Sequence, residues 1–130
     1  SYGVPVLGYQ TDELPGFYTR STGLPLTTRV DSVAEIAAIA RAHWDEADQS
    51  SALLVVQPPP VAEALDRRLV DDIVAAAIRE MAEQEARHPA EAAIRGAALT
   101  PHLLARIAEA TGGRSMRTNL ALLEANAALA

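Results

Sequence analysis

No cysteine and no lysine occur among the 130 residues. Without cysteine there is no disulfide framework and no thiolate metal site, so a reducing cytoplasm is the expected compartment. Without lysine the chain has no side-chain amine to act as a nucleophile. The eleven basic residues are all arginines, spread rather than clustered. With a formal net charge of -6 and a pI near 4.9, they lack the basic footprint that nucleic acid demands. No run approaches the roughly 20 apolar residues that span a bilayer, so no membrane partner is expected. A charged, then apolar, then small-residue leader is missing too. Glycine-rich phosphate loops are absent: Gly112-Gly113 closes a predicted helix instead of opening one after a strand. His43, His88 and His102 have no metal-ligand spacing, and structural or solvent roles are expected for all three.

The hydrophobic fraction of 49% allows one modest core and hence a single domain. Val4 to Gln10 is a short apolar run with β-branched and aromatic residues and reads as a buried strand, Pro5 marking its first residues or an edge. Ala52 to Val56 is a second, wholly apolar strand, stopped by Gln57 and three prolines. Strands buried on both faces favour a parallel sheet covered by helices. From Thr11 to Thr28 the Gly, Pro and Thr content indicates an irregular loop, and one this long is usually functional or mobile.

Ser32 followed by Glu35 is a capping box that opens a helix, on which Val33, Ile36, Ala37, Ala40 and a buried Trp44 form one stripe. A long helix runs from Asp66 to about Arg87, with Leu69, Ile73, Ala77 and Met81 on one side. After a connector over 88–99, Thr100 is placed as the N-cap of a helix with Pro101 at its first position, and Ser115 as the cap of the last. On that last helix the stripe is Met116, Leu120, Leu123 and Ala127. The chain thus reads as α/β, a layered α/β/α fold on a parallel sheet, with two strands and about four helices. So small a sheet cannot use that much apolar helix surface. Residues 1–130 are therefore read as the C-terminal portion of a single α/β domain, the missing strands coming from an upstream segment or another chain.

Few residues stand out as chemistry. Thr11, Asp12 and Glu13 follow the first strand directly, where ligands sit in parallel α/β sheets, although an exposed acidic turn has the same appearance. Arg20 has the planar fork to hold a phosphate, or is simply solvated. Asn119 flanks the apolar stripe of the last helix, with Asn126 seven residues on. An inward amide without partners costs roughly 1–3 kcal/mol. Asn119 therefore bonds a backbone carbonyl or a water, or it faces a pocket where it both donates to and accepts from a ligand.

Two segments, GYQTDELPGFYTR (8–20) and TPHLLARIAEATGGRSMRTNLALLEANAALA (100–130), resemble the pseudouridine-5'-phosphate glycosidase family. The RVDSVAEIA helix start and the apolar strand ending in prolines occur in the same order. The resemblance implies an α/β fold, a homo-trimer and a divalent metal, typically manganese, held by residues outside this chain. It implies making or breaking a carbon–carbon bond between ribose 5-phosphate and uracil. A lysine, also outside this chain, attacks C1' of the opened sugar, and the imine is the electron sink that a C-glycoside with no good leaving group requires. Of the family's site residues only an asparagine carries over, and it falls on Asn119 as the catalytic candidate, beside Thr11, Asp12 and Arg20 as substrate-binding candidates. The chain departs from the family at Ser51-Ala52, at Gln57-Pro58 where Asn-Pro is usual, and at Gly96-Ala97. These departures bear on the acceptor. The alternatives are a C-glycosynthase that joins ribose 5-phosphate to an aromatic carbon nucleophile, and a non-catalytic assembly module.

Overall fold

Three short parallel strands carry the architecture. The computed structural model describes residues 3–87 and 99–130, and the readings made for His88, for Gly96-Ala97 and for most of the connector lie outside them. Strand β1 (Val6–Tyr9) is central, flanked by β2 (Arg29–Val30) and β3 (Leu54–Val56). Gly8 pairs with Arg29 on one side and with Val56 on the other. Pro5 immediately precedes β1, and its carbonyl accepts from Leu54 N at 3.0 Å. The sheet is parallel, as the apolar runs predicted. It has three strands and not two, because Arg29–Val30 lies at the end of what read as loop and is too short to leave an alternating pattern.

Helix α1 (Val33–Arg41) starts as its sequence dictates, with Ser32 Oγ accepting from Glu35 N at 3.2 Å. The return bond of the box is displaced by one residue: Glu35 Oε2 accepts from Asp31 N at 2.7 Å. Past Arg41 the helix widens into a π-helical turn over Ala42–Glu46. The expected burial of Trp44 is overturned. Its ring is 48% exposed, with Nε1 donating to the Ser51 carbonyl at 3.0 Å. No residue of α1 is buried, so its stripe is only partly covered within this chain.

Helix α2 (Arg67–Arg87) is capped by Asp66, whose Oδ1 accepts from Leu69 N at 3.0 Å. It packs on α3 (Leu99–Ala110) around Tyr18, Leu65 and Ile107, with Val70, Ile73 and Val74 beside them. Helix α3 begins two residues earlier than predicted, so Thr100 and Pro101 lie inside its first turn. It ends at the predicted glycines, Gly112 and Gly113, both at positive φ, and Gly113 N donates back to Ala108 O at 2.9 Å.

Helix α4 (Arg114–Leu129) presents the opposite face from the one its apolar residues predict. Met116, Leu120 and Leu123 are each more than half exposed, and Ala127 is exposed as well. Ser115, Thr118 and Leu122 are the buried residues. The hydroxyls go inward because the carbonyls there satisfy them: Thr118 Oγ1 donates to Glu63 O, with Arg114 O at 3.1 Å as a second acceptor. Ser115 is not the cap. Its N–H donates to Thr111 Oγ1 at 3.2 Å, and that hydroxyl in turn donates to Ile107 O at 2.7 Å.

Candidate active site

The carboxyl ends of the three strands, where parallel sheets place their ligands, open onto the Thr11–Thr28 segment. That segment is tied together throughout. Gln10 leaves β1 with φ 55°, a left-handed conformation costing a non-glycine residue about 1–3 kcal/mol, and such strain gathers at functional sites. Thr11 Oγ1 donates to Glu13 O at 2.8 Å. Leu14 N to Leu24 O and Leu26 N to Asp12 O, both at 2.8 Å, fold the segment back on itself like a hairpin. Inside the fold, Glu13 Oε2 accepts from the Ser21 hydroxyl and from Gly23 N at 3.0 Å. The Ser21 hydrogen bond, the Gly23 amide and the more distant Arg67 charge hold the Glu13 carboxyl below its ordinary range.

This predicts a pH response for the loop. A carboxyl depressed in the folded state stabilises it fully above the unfolded value of 4.5. That contribution is lost as pH falls through the lower folded value. Hydrogen exchange at Gly23 and Leu24 should therefore accelerate as pH falls below about 4.5, beyond the intrinsic pH trend of exchange. In Glu13→Gln it should already be fast at neutral pH, with no further acid-dependent step.

Thr11, Asp12 and Arg20 line one cleft of about 270 Å³ with Gln10, Glu13, Ser21 and Arg29. Their bonding separates them. Asp12 is engaged by Arg29 Nη1 at 2.7 Å, and Arg29 also reaches Asp31 at 2.8 Å, the two carboxylates raising its already high pKa. Arg20 donates from Nη1 to Pro59 O at 2.6 Å and has no carboxylate partner among the described residues. Its remaining N–H groups make it the cation in this cleft open to an anion.

Asn119 is not among the residues lining that cleft. It is half-buried on α4, next to the fully buried Thr118, and its amide makes no hydrogen bond among the described residues. Sequence reasoning missed a second amide pair. Gln57, just beyond β3, donates from Nε2 to Asn126 Oδ1 at 2.8 Å across 69 positions of sequence. Both line a cleft of about 330 Å³ with Phe17, Val56 and Leu122. Gln57 and Asn126 each stood out in the sequence, as a departure from Asn-Pro and as the second asparagine of the last helix, but nothing there tied one to the other. His43 has a structural role, its Nε2 lying 3.0 Å from Ser51 Oγ. Among the described residues no three histidines, aspartates or glutamates are grouped to hold a metal. Of the two carboxylates that line the cleft, Asp12 is bound to Arg29, and Glu13 is taken up by the Ser21 hydroxyl and the Gly23 amide. The residues present do not fit a divalent cation, and no step is derived through one. No helix among the described residues is long and apolar enough to cross a membrane.

A parallel α/β sheet with a polar cleft at its carboxyl edge is an enzyme-like scaffold, and comparison with known proteins narrows the class. The family model described as "Indigoidine synthase A like protein" matches residues 1–130, and the chain belongs to that family. It is 52% identical over 128 residues to the pseudouridine-5'-phosphate glycosidase of Gemmatimonas aurantiaca, covering 98% of this chain and 39% of that protein. To the glycosidase of Herpetosiphon aurantiacus it is 48% identical over 130 residues, covering 100% of this chain and 40% of the relative. Among solved structures it is similar to the prealnumycin C-glycosynthase AlnA in complex with ribulose 5-phosphate. The TM-score there is 0.79 at 31% identity, over 93% of this chain and 37% of that one. An indigoidine synthase A-like protein from Thermotoga maritima follows with a TM-score of 0.70 at 28% identity, over 95% of this chain and 37% of that one.

Proposed function

We propose that this chain forms part of an enzyme that makes or breaks the carbon–carbon bond between ribose 5-phosphate and uracil. The observation that carries the reading is the 52% identity to a pseudouridine-5'-phosphate glycosidase along nearly the whole chain. In this reading the lysine that forms the sugar imine, and any divalent metal, come from residues outside these 130. Arg20 holds the sugar phosphate through its free guanidinium edge, with the Thr11 hydroxyl beside it. Asp12 positions Arg29 and so shapes the cleft floor. Asn119 supplies an amide that donates to a substrate oxygen and accepts from a substrate N–H at the reacting ring. The assembly is a homo-trimer in the cytoplasm.

A second reading is favoured by the likeness to AlnA, a C-glycosynthase. Here the sugar half of the reaction is the same and the carbon nucleophile is an aromatic ring. One experiment addresses both. The 130-residue chain is assayed alone and as a graft replacing the matching 39% of the Gemmatimonas aurantiaca relative. With ribose 5-phosphate and borohydride, the chain alone should trap no sugar on a side chain, since it has no lysine. The graft should trap one sugar per chain and release a C-linked nucleotide when uracil is supplied. A folded graft that traps the sugar but yields no uracil product selects the aromatic acceptor. A folded graft that traps nothing overturns both readings.

A further inference from the structure

The geometry points to the cleft between Phe17, Val56, Gln57 and Asn126 as the recognition site for a planar ring bearing adjacent N–H and C=O groups, a cyclic imide or lactam. The inference rests on the proposed reaction, in which such a ring is the carbon nucleophile, and it assigns the residues that select it.

The cleft lies at the carboxyl end of β3, where a parallel sheet receives ligands, and its volume of about 330 Å³ is in the range of small-molecule pockets. Its walls are apolar, with Val55 and Val56 from the strand and Leu122 from α4. Phe17 stands at one side, 54% exposed, yet it is fixed by an edge contact with the buried Tyr18 ring at 4.7 Å. A large aromatic ring held rigid and left open is a stacking platform. The polar groups are confined to one end. Gln57 spends one N–H on Asn126 Oδ1, which leaves the Gln57 carbonyl oxygen and the Asn126 amide N–H groups without partners among the described residues. An acceptor beside a donor is the complement of a cis-amide edge, whose N–H and C=O point the same way. Exchanging the donor and acceptor roles within the pair leaves the same two kinds of free group, so the match does not depend on that assignment.

The alternative role for the pair, a simple tie between β3 and α4, makes a different prediction. Asn126→Asp keeps the oxygen that accepts from Gln57 and so keeps the tie, but it removes the donor and sets a carboxylate against the ring carbonyl. The ¹⁵N-labelled chain is titrated with uracil and with 1,3-dimethyluracil, which has the same ring and no N–H. Uracil should shift the side-chain amide signals of Gln57 and Asn126 and the backbone amide signal of Phe17. Dimethyluracil and the N126D variant should each weaken binding about tenfold or more, as expected for an unmatched polar edge. Equal binding of the two rings, unchanged binding in N126D, or shifts that spare these three residues would overturn the assignment. Failure of the underlying reaction is read separately. A graft that makes C-linked product with the same acceptor KM in N126D sinks the ring site and leaves the reaction. Mapped ring binding with no product from any acceptor sinks the reaction and leaves the site.

Discussion

Asn119→Ala in the graft should lower turnover roughly 100- to 1000-fold, the effect seen when a donor aimed at developing charge is removed. Thermal stability should change little, because the Asn119 side chain makes no hydrogen bond among the described residues that truncation would break. The neighbours make this a sharp test. Thr118 is the fixed point of α4, fully buried, with its hydroxyl held against the Glu63 carbonyl. Asn119 follows it directly, so its backbone is anchored while its amide is free to serve a ligand. A structural residue in that position would lower stability and turnover together. A catalytic one should lower turnover with sugar affinity intact, measured as an unchanged KM for ribose 5-phosphate beside a reduced kcat. Asn119→Asp keeps the acceptor and loses the donor, and it should recover little. Unaltered kcat in N119A removes the residue from the chemistry.

How much of this was legible in the sequence depends on the kind of signal. β1 and β3 were readable because β-branched residues in runs leave few alternatives, and the Ser32 start and Gly112-Gly113 stop because capping is local chemistry. Thr11 and Asp12 could be placed beyond the first strand by the rule that ligands sit at the carboxyl ends of parallel strands, whereas the folding-back of the loop that brings Arg20 into their cleft left no local signal. β2 was missed because pairing, not composition, makes a two-residue strand. The orientation of α4 was missed for a more instructive reason. Periodicity ranks Met116, Leu120 and Leu123 above Ser115 and Thr118, and it cannot see the Glu63 and Arg114 carbonyls that make a buried threonine hydroxyl affordable. The exposure of Trp44 has the same origin, since burial needs a partner surface and this chain's three-stranded sheet offers little of it. The Gln57–Asn126 pair was invisible to any windowed reading, as its members are 69 residues apart.

Gly8→Ala should destabilise the fold by about 1–3 kcal/mol or more, although glycine within a strand usually weakens it. A Cβ at this position would lie 2.3 Å from the Thr11 carbonyl oxygen and 2.7 Å from Leu26 Cδ1, both well inside contact distance. The cause is the path of the loop: it leaves β1 at Gln10 and returns through Leu26 and Thr28, whose carbonyl accepts from Gly8 N at 2.9 Å. Glycine is thus the condition for the loop to close over the strand end and bring Thr11, Asp12 and Arg20 together. In a chain of this size the melting temperature should fall by roughly 5–15 °C. The two clashes are separable. Leu26→Ala removes the side-chain contact and leaves the backbone one, so the G8A/L26A double variant should recover only a small part of the loss, read as a coupling energy. Full recovery would place the whole conflict on a flexible leucine and dissolve the argument. With the backbone clash intact, G8A must displace Thr11. Its affinity for ribose 5-phosphate should then fall even at temperatures where the protein remains folded, which ties the strand's one missing side chain to the geometry of the site.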